Sequence, residues 1–366
     1  MTAQEFHIVR TREAAERMER ELQDRRQSGS DLVVVSKHGA QRDIGETIEI
    51  KYEQEVVADW FDGEIPDAVL DLLEIALATY AVDKQVERCI SVPRDDERAR
   101  INTRNIRFTG PVLSDAFTEA GVERLLGETV SRTSRDLVEY DLHRPSVSVA
   151  RPLPENREEI DAVGLFSGGI DSTGGVFHNR SKGIDASYLS LNYAGVGNLV
   201  DHVSDQVEIS PTIIGIERVG RSREFTQFSR GFLHLAFGVA AAIGLGSPTV
   251  QSFENGLVAR FDMLQDGWMT TRTVRPEFIG SFNSLLEEAL GERVSVENPF
   301  EDRTKTEVVN LIPDRETVVD TVSCPHTSRF NVVDSDQQNC GLCVPCVIRT
   351  ISPTRTARPA RHCWRR

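Results

Sequence analysis

Two clusters of residues in this chain have types and spacings that could do chemistry. The first is Ser167-Gly168-Gly169-Ile170-Asp171-Ser172, set directly after an apolar run at 162–166. Two glycines let the backbone approach an anion closely and aim consecutive N–H groups into one concavity. The hydroxyls of Ser167 and Ser172 add donors, and a helix expected to begin around Ser172 or Thr173 adds its positive end. Together these groups favour a pyrophosphate. Asp171 would repel a bare phosphate, so its useful role is to hold Mg2+ against the phosphates of ATP. A Walker loop would need a lysine after its last glycine, and a dinucleotide fingerprint would need G-x-G-x-x-G; this turn has neither.

The second cluster is Cys324-x15-Cys340-x2-Cys343-x2-Cys346. Two overlapping C-x2-C knuckles share Cys343, and a fourth thiolate arrives from across a loop. Four sulfurs close a tetrahedral Zn2+ with no open position, so such a metal is structural. The intervening loop, PHTSRFNVVDSDQQN, is polar and poor in core-forming residues, as expected if metal rather than packing holds it. His326 could replace one thiolate, and an iron–sulfur cluster is the rival chemistry for the same four. Cys89 and Cys363 have no partner at metal spacing and read as ordinary thiols.

The elements that must position these residues follow from the hydrophobic pattern. Residues 162–166, 186–192, 212–216 and 249–253 are short apolar runs suited to parallel strands. Helical patterns lie between them, clearest over 231–243, with Phe232, Leu235, Ala236, Val239, Ala240 and Ile243 on one side. That alternation predicts βαβ units, a parallel sheet and right-handed crossovers. The first 150 residues read as a mixed α/β segment. Leu32-Val33-Val34-Val35 predicts a buried strand, and the alternation of Ile48, Ile50 and Tyr52 predicts a half-buried one. A helix starts near Pro66, with Val69, Leu70, Leu72, Leu73, Ala76, Leu77 and Tyr80 as its apolar stripe, and a weaker helix covers 116–126. The stretch RPSVSVARPLPENR over 144–157 marks a domain boundary near residue 155.

Bulk properties narrow the setting. A formal charge of −15 argues against wrapping a nucleic acid through its phosphates. Lysines occur only at 37, 51, 84, 182 and 305, a bias that speaks of cellular salt or genome composition rather than chemistry. The longest apolar stretch, 232–245, is too short to span a membrane and contains His234. The charged start MTAQEFHIVRTREAAERMERELQDRR lacks a signal-peptide core. A soluble, cytoplasmic protein without a membrane partner is the expectation.

A strand followed by SGGxDS resembles the N-type PP-loop ATP pyrophosphatases. Strand-SGGIDST, then RGFLHLAFGVAAAIG, RPEFIGSFN, NPFEDRTKTEVV and finally SC…CGLCVPCVIR are similar, in order, to the 7-cyano-7-deazaguanine synthase (QueC) family over about residues 160 to 350. The resemblance implies a ligase that adenylates the carboxylate of 7-carboxy-7-deazaguanine. Ammonia then displaces AMP to give an amide, and a second adenylation with loss of water gives the nitrile. It implies ATP, Mg2+ and Zn2+ as the bound groups. Ser167, Gly168, Gly169, Asp171 and Ser172 match the phosphate loop, and Cys324, Cys340, Cys343 and Cys346 match the zinc ligands. Arg230 and Lys305 fall in motifs that resemble nucleotide-contacting segments. The catalytic candidates are Asp171, Ser167, Ser172 and Lys305, with Arg272 and Arg275 toward the deazapurine substrate.

Two departures bear on what is made. Ordinary members carry Tyr-Pro-Asp-Cys-Arg before the phenylalanine segment, whereas this chain has Thr273-Val274-Arg275-Pro276-Glu277-Phe278. It also has about 160 residues ahead of the loop, as in the longer QueC-like proteins of anti-phage clusters (Qat-type and type IV CBASS), where a protein partner is an alternative acceptor. The expected layout is an N-terminal α/β extension at 1–155, a parallel-sheet PP-loop domain at 156–320 and a zinc segment at 321–366. Housekeeping synthesis for queuosine or archaeosine in tRNA, and a silent ATP-binding scaffold, are the other readings; homodimerisation is left open. The tail TISPTRTARPARHCWRR, with five arginines and no acid, reads as a shifted frame or a basic extension.

Overall fold

The computed structural model describes residues 4–9, 30–37, 48–88, 90–91, 100–101, 103–144, 151–155, 159–193, 197–219, 224, 226, 228–256, 274–322, 346–347 and 349. Its elements begin with β1 (Gln4–Val9), β2 (Ser30–Lys37), β3 (Ile48–Tyr52), α1 (Gln54–Asp59) and α2 (Asp67–Gln85). Next come β4 (Ile90–Ser91), β5 (Arg100–Ile101), β6 (Asn105–Pro111), α3 (Ala120–Ser134) and β7 (Leu137–His143). Then follow β8 (Ala162–Leu165), α4 (Ile170–Lys182), β9 (Ala186–Tyr193), α5 (Gly197–Gln206), β10 (Thr212–Val219) and α6 (Arg230–Gly244). The last are β11 (Thr249–Gln251), α7 (Pro276–Leu290), β12 (Ser295–Glu297), α8 (Lys305–Val309) and α9 (Arg315–Asp320). The fold class is α/β with parallel strands, as the pattern of apolar runs predicts. No helix among the described residues is long and apolar enough to cross a membrane.

The chain divides into two compact units, and the division is not linear. The first takes Met1–Glu159, Ile216–Pro248 and Asp262–Val296; the second takes Ile160–Gly215, Thr249–Phe261 and Glu297–Arg366. A cut near residue 155 followed by one block to 320 therefore differs from what the chain does. The cause lies in pairing that sequence distance hides. Residues Ile216 to Val219 of β10 run antiparallel to β3, α6 packs on α2, and α7 packs on α3.

In the first unit β3, β2, β1, β6 and β7 are parallel neighbours in that order, a doubly wound sheet whose direction switches between β1 and β6. All five residues of β3 are buried, so it is not the half-buried strand its alternation suggests. Parallel strands are covered on both faces, and the polar residues Glu49 and Lys51 pair with each other at 3.6 Å. Helix α2, with Pro66 as its N-cap, is buried from Asp67 through Lys84 rather than along one stripe. Its charged residues find partners inside. Asp67 meets Arg151 at 2.8 Å, and Asp71 accepts from the backbone N–H of Leu113 and Ser114. Asp83 sits with Arg88, Arg104 and Asp136 in a buried ion cluster. Burial alone would raise the Asp83 carboxyl, but the two guanidiniums and the Ser229 donors outweigh it and hold it below the usual range. The helix expected over 116–126 is a short 3-10 turn at Asp115–Phe117 followed by α3, which ends at Arg135 in the left-handed region.

The second unit carries β11, β8 and β9 as parallel neighbours, with α4 leaving the end of β8. Two apolar clusters support it. One joins Phe166, Val176, Val200, Val203, Val207, Val322 and Cys346; the other joins Ile170, Phe253, Phe300, Val308 and Val309.

Candidate active site

Strand β8 hands the chain to the glycine loop at its carboxyl end, where parallel sheets place ligands. Phe166 anchors the turn, donating its N–H to the Leu189 carbonyl at 2.7 Å. Gly168 then takes φ +70, a left-handed conformation that favours glycine. The Gly168 carbonyl accepts from the Val322 N–H at 3.4 Å. Gly169 caps α4, which begins at Ile170, two residues before the expected start. A helix of this length leaves its first N–H groups without intrahelical partners. The serine hydroxyls brace the loop: Ser172 Oγ accepts from the Ser167 N–H at 3.2 Å and donates to the Gly169 carbonyl at 3.0 Å. Ser167 is exposed, so its hydroxyl can turn to a ligand.

Asp171 lies in the first turn of α4, buried to 8% exposure. Its Oδ2 accepts from Lys305 Nζ at 2.6 Å and from Asn255 Nδ2 at 3.3 Å. Lys305 opens α8 behind a capping box in which Thr304 and Glu307 satisfy each other's end groups. That helix comes close to α4 because Gly174 has no side chain: a Cβ there would meet Val308 Cγ1 at 2.7 Å. Asn255 follows β11, in a segment pinned by the Gly256 N–H to the Arg303 carbonyl at 2.7 Å. Glu254 and Asn298 exchange two further bonds at 3.1 and 2.8 Å.

Asp171 Oδ1 and Asn255 Oδ1 are buried oxygens with no hydrogen-bond partner among the described residues. Such oxygens are costly unless a cation or donor arrives, and hard oxygen ligands are what Mg2+ takes. The residues therefore fit the ion expected of Asp171. Asn255 was missed by sequence reading; its signal was a polar residue just past an apolar strand, at the sheet edge that carries the loop.

Six of the expected site residues are thus brought together in the second unit: Ser167, Gly168, Gly169, Asp171, Ser172 and Lys305. Arg230 opens α6 and Arg275 is the N-cap of α7, and both belong to the first unit. Arg272 lies outside the described residues, as do Cys324, Cys340, Cys343, Cys89, Cys363, His326 and the basic tail.

Cys346, the last of the four clustered cysteines, is 1% exposed and sits in the apolar cluster with Phe166 and Val322. Three residues on, the Arg349 guanidinium donates to the Thr321 carbonyl at 2.7 Å, to Thr321 Oγ1 at 2.9 Å, to the Val319 carbonyl at 3.1 Å and to the Val318 carbonyl. Cys346 and Arg349 therefore pack behind the phosphate loop.

No curated protein matches the chain. Residues 273–354 match the family model described as Queuosine biosynthesis protein QueC, a span that includes Arg275, Lys305 and the four clustered cysteines, while the Ser167–Ser172 loop lies ahead of it.

Proposed function

We propose that this chain is an ATP-dependent ligase of the QueC kind, which adenylates a deazapurine carboxylate and releases pyrophosphate. The observation that carries the reading is the buried Asp171–Lys305 pair set at the mouth of a glycine loop. Neither residue has a packing reason to be charged there, and both suit a triphosphate with its cation. The match to QueC over 273–354 supports the reaction class.

The roles follow from chemistry. The Gly169 N–H, the Ser167 and Ser172 hydroxyls and the start of α4 bind the pyrophosphate portion. Asp171 would hold Mg2+ with Asn255 beside it, and that ion supplies charge neutralisation on the phosphates. Lys305 keeps the Asp171 carboxylate oriented and adds positive charge next to the leaving group. The substrate carboxylate oxygen attacks the α-phosphorus, the bond to the bridging oxygen breaks, and pyrophosphate leaves toward the loop. Ammonia then displaces AMP, giving the amide, and dehydration through a second adenylate gives a nitrile such as 7-cyano-7-deazaguanine. Arg272 and Arg275 are the proposed partners of the carboxylate, and Cys324, Cys340, Cys343 and Cys346 the proposed ligands of a structural Zn2+. The extra N-terminal residues favour a role in anti-phage defence with a protein partner.

The deciding experiment incubates purified chain with Mg2+, ATP and 7-carboxy-7-deazaguanine, with and without ammonia. AMP and pyrophosphate are the expected products. ADP and phosphate would refute the loop assignment, and no AMP in either arm would refute the deazapurine substrate.

A further inference from the structure

The phosphate loop is held from behind, and the holder lies far away in sequence. A peptide group is planar and trans, so the carbonyl of Gly168 and the N–H of Gly169 point in opposite directions. The Gly168 carbonyl is engaged by the Val322 N–H at 3.4 Å. The Gly169 N–H is thereby turned to the other side, where it donates a long bond of 3.4 Å to Ser167 Oγ. That is the side on which an anion would be met. The bond to Val322 is long, so whatever fixes Val322 decides how firmly this peptide is aimed.

Two things fix it. The Val322 side chain is buried with Phe166 and Cys346 in one cluster. Its backbone follows the last turn of α9 and the C-cap Thr321, and the carbonyls of 318 and 319 in that turn and of Thr321 all accept from Arg349. A cation at a helix C-terminus is favourable, and a guanidinium offers donors in a fixed fork that a lysine lacks. Burial pushes the Arg349 guanidinium down to about 10, so it stays charged at neutral pH.

We propose that Arg349 is a positioning residue for the phosphate loop, acting through Thr321 and Val322 to aim the Gly168–Gly169 peptide at bound triphosphate. The consequence for ATP rests on the function proposed above; the clamp itself does not.

The test compares the full-length wild type with Arg349→Ala, Arg349→Lys and Val322→Pro. The proline removes the N–H that reaches Gly168 while leaving α9 intact. Thr321 already has φ −65 and ψ 147, the extended backbone that a following proline requires. Hydrogen exchange is measured over 167–172 and 318–322 without nucleotide, and KM for ATP and kcat are measured from pyrophosphate release. Arg349→Ala should speed exchange in both segments and raise KM for ATP at least about tenfold, with kcat at saturating ATP changed less than about threefold, a loss of binding worth roughly 1.4 kcal/mol. Arg349→Lys should recover melting temperature more than ATP affinity, and Val322→Pro should loosen 167–172 alone. Faster exchange at 318–322 with 167–172 unchanged would overturn the clamp. So would a lower melting temperature or active fraction at unchanged KM, the signature of a merely stabilising cap. If the wild type neither binds ATP nor releases pyrophosphate, the nucleotide reading fails, while exchange over 167–172 still decides the clamp.

Discussion

Replacing Lys305 with methionine isolates the electrostatics of the site. The pair is about nine-tenths buried, with side-chain exposures of 10% and 9% and a separation of 2.6 Å. Methionine keeps most of the stem volume and removes the charge. Among the described residues Asp171 Oδ2 then retains only the Asn255 amide at 3.3 Å, and Oδ1 already has no partner. Leaving one member of a buried pair uncompensated costs about 3–5 kcal/mol, whereas removing both is often near neutral. Lys305→Met alone should therefore destabilise the metal-free protein by about that amount. Lys305→Met with Asp171→Asn should recover at least about half of it, a coupling well above the roughly 0.5 kcal/mol expected of independent sites. The assay is equilibrium urea unfolding followed by circular dichroism in the presence of chelator. Adding Mg2+ should raise the melting temperature of Lys305→Met more than that of wild type, because the ion then replaces the countercharge that Asp171 has lost. Additive single-mutant losses, or equal Mg2+ effects, would refute the reasoning.

Gly169→Val should abolish ATP binding while the circular dichroism spectrum stays unchanged. The backbone there is ordinary at φ −82, but a Cβ would stand 3.3 Å from both Ser167 Oγ and the Val322 carbonyl. Stability should fall with acid well above the carboxylate range. Burial, with Arg230 beside it, depresses the His234 imidazole to about 3, while the unfolded chain takes up that proton near pH ~6.5. The folded state is thus at no disadvantage above ~6.5 and loses about 1.4 kcal/mol per pH unit as pH falls from there toward the folded value; His234→Gln should flatten that slope in urea titrations at pH 7, 6 and 5. Chelation of metal, or Cys343→Ser, should lower the melting temperature and speed exchange at 318–322, given the roughly 10–16 kcal/mol that structural zinc typically contributes. An unchanged melting temperature with and without chelator would show that the cysteines hold no structural metal.

What could be read in the sequence was what is local. The glycine loop, the strand before it and the helix after it are contiguous, and their chemistry is written in adjacent residues. The same holds for α6, whose apolar residues predicted its span to within a residue. Where the reading went astray, the partner lay far along the chain. Glu49 and Lys51 looked like a solvent face of β3 because sequence does not show that the strand lies inside the sheet, between β2 and the distant β10. The polar residues of α2 looked exposed for the same reason, since Lys84 donates to the Glu224 carbonyl 140 residues away. The grouping of residues 216–248 and 262–296 with those before residue 159 is not legible in the linear sequence either, since it rests on the pairing of β10 with β3 and the packing of α6 on α2 and α7 on α3. Within the site, Lys305 and Asp171 were named separately, yet nothing in their spacing of 134 residues announces a salt bridge.

The cysteine motif and the glycine loop also read as separate sites, one structural and one chemical, so that loss of metal would leave the loop's chemistry alone. The fold argues otherwise. Cys346 shares its apolar cluster with Phe166, the residue that anchors the loop, and with Val322, whose N–H and carbonyl both border the two glycines. Arg349, three residues past that cysteine, holds the turn that leads to Val322. A side chain that is 1% exposed cannot leave a close-packed cluster without disturbing its neighbours. Disorder in the cysteine segment should thus reach the Gly168–Gly169 peptide through packing and through Val322, and ATP affinity should fall together with stability rather than after it. The family match at 273–354 and the loop outside it are then two parts of one device: the downstream segment supplies Lys305, Val322 and Arg349, and each acts on a loop that begins more than a hundred residues upstream.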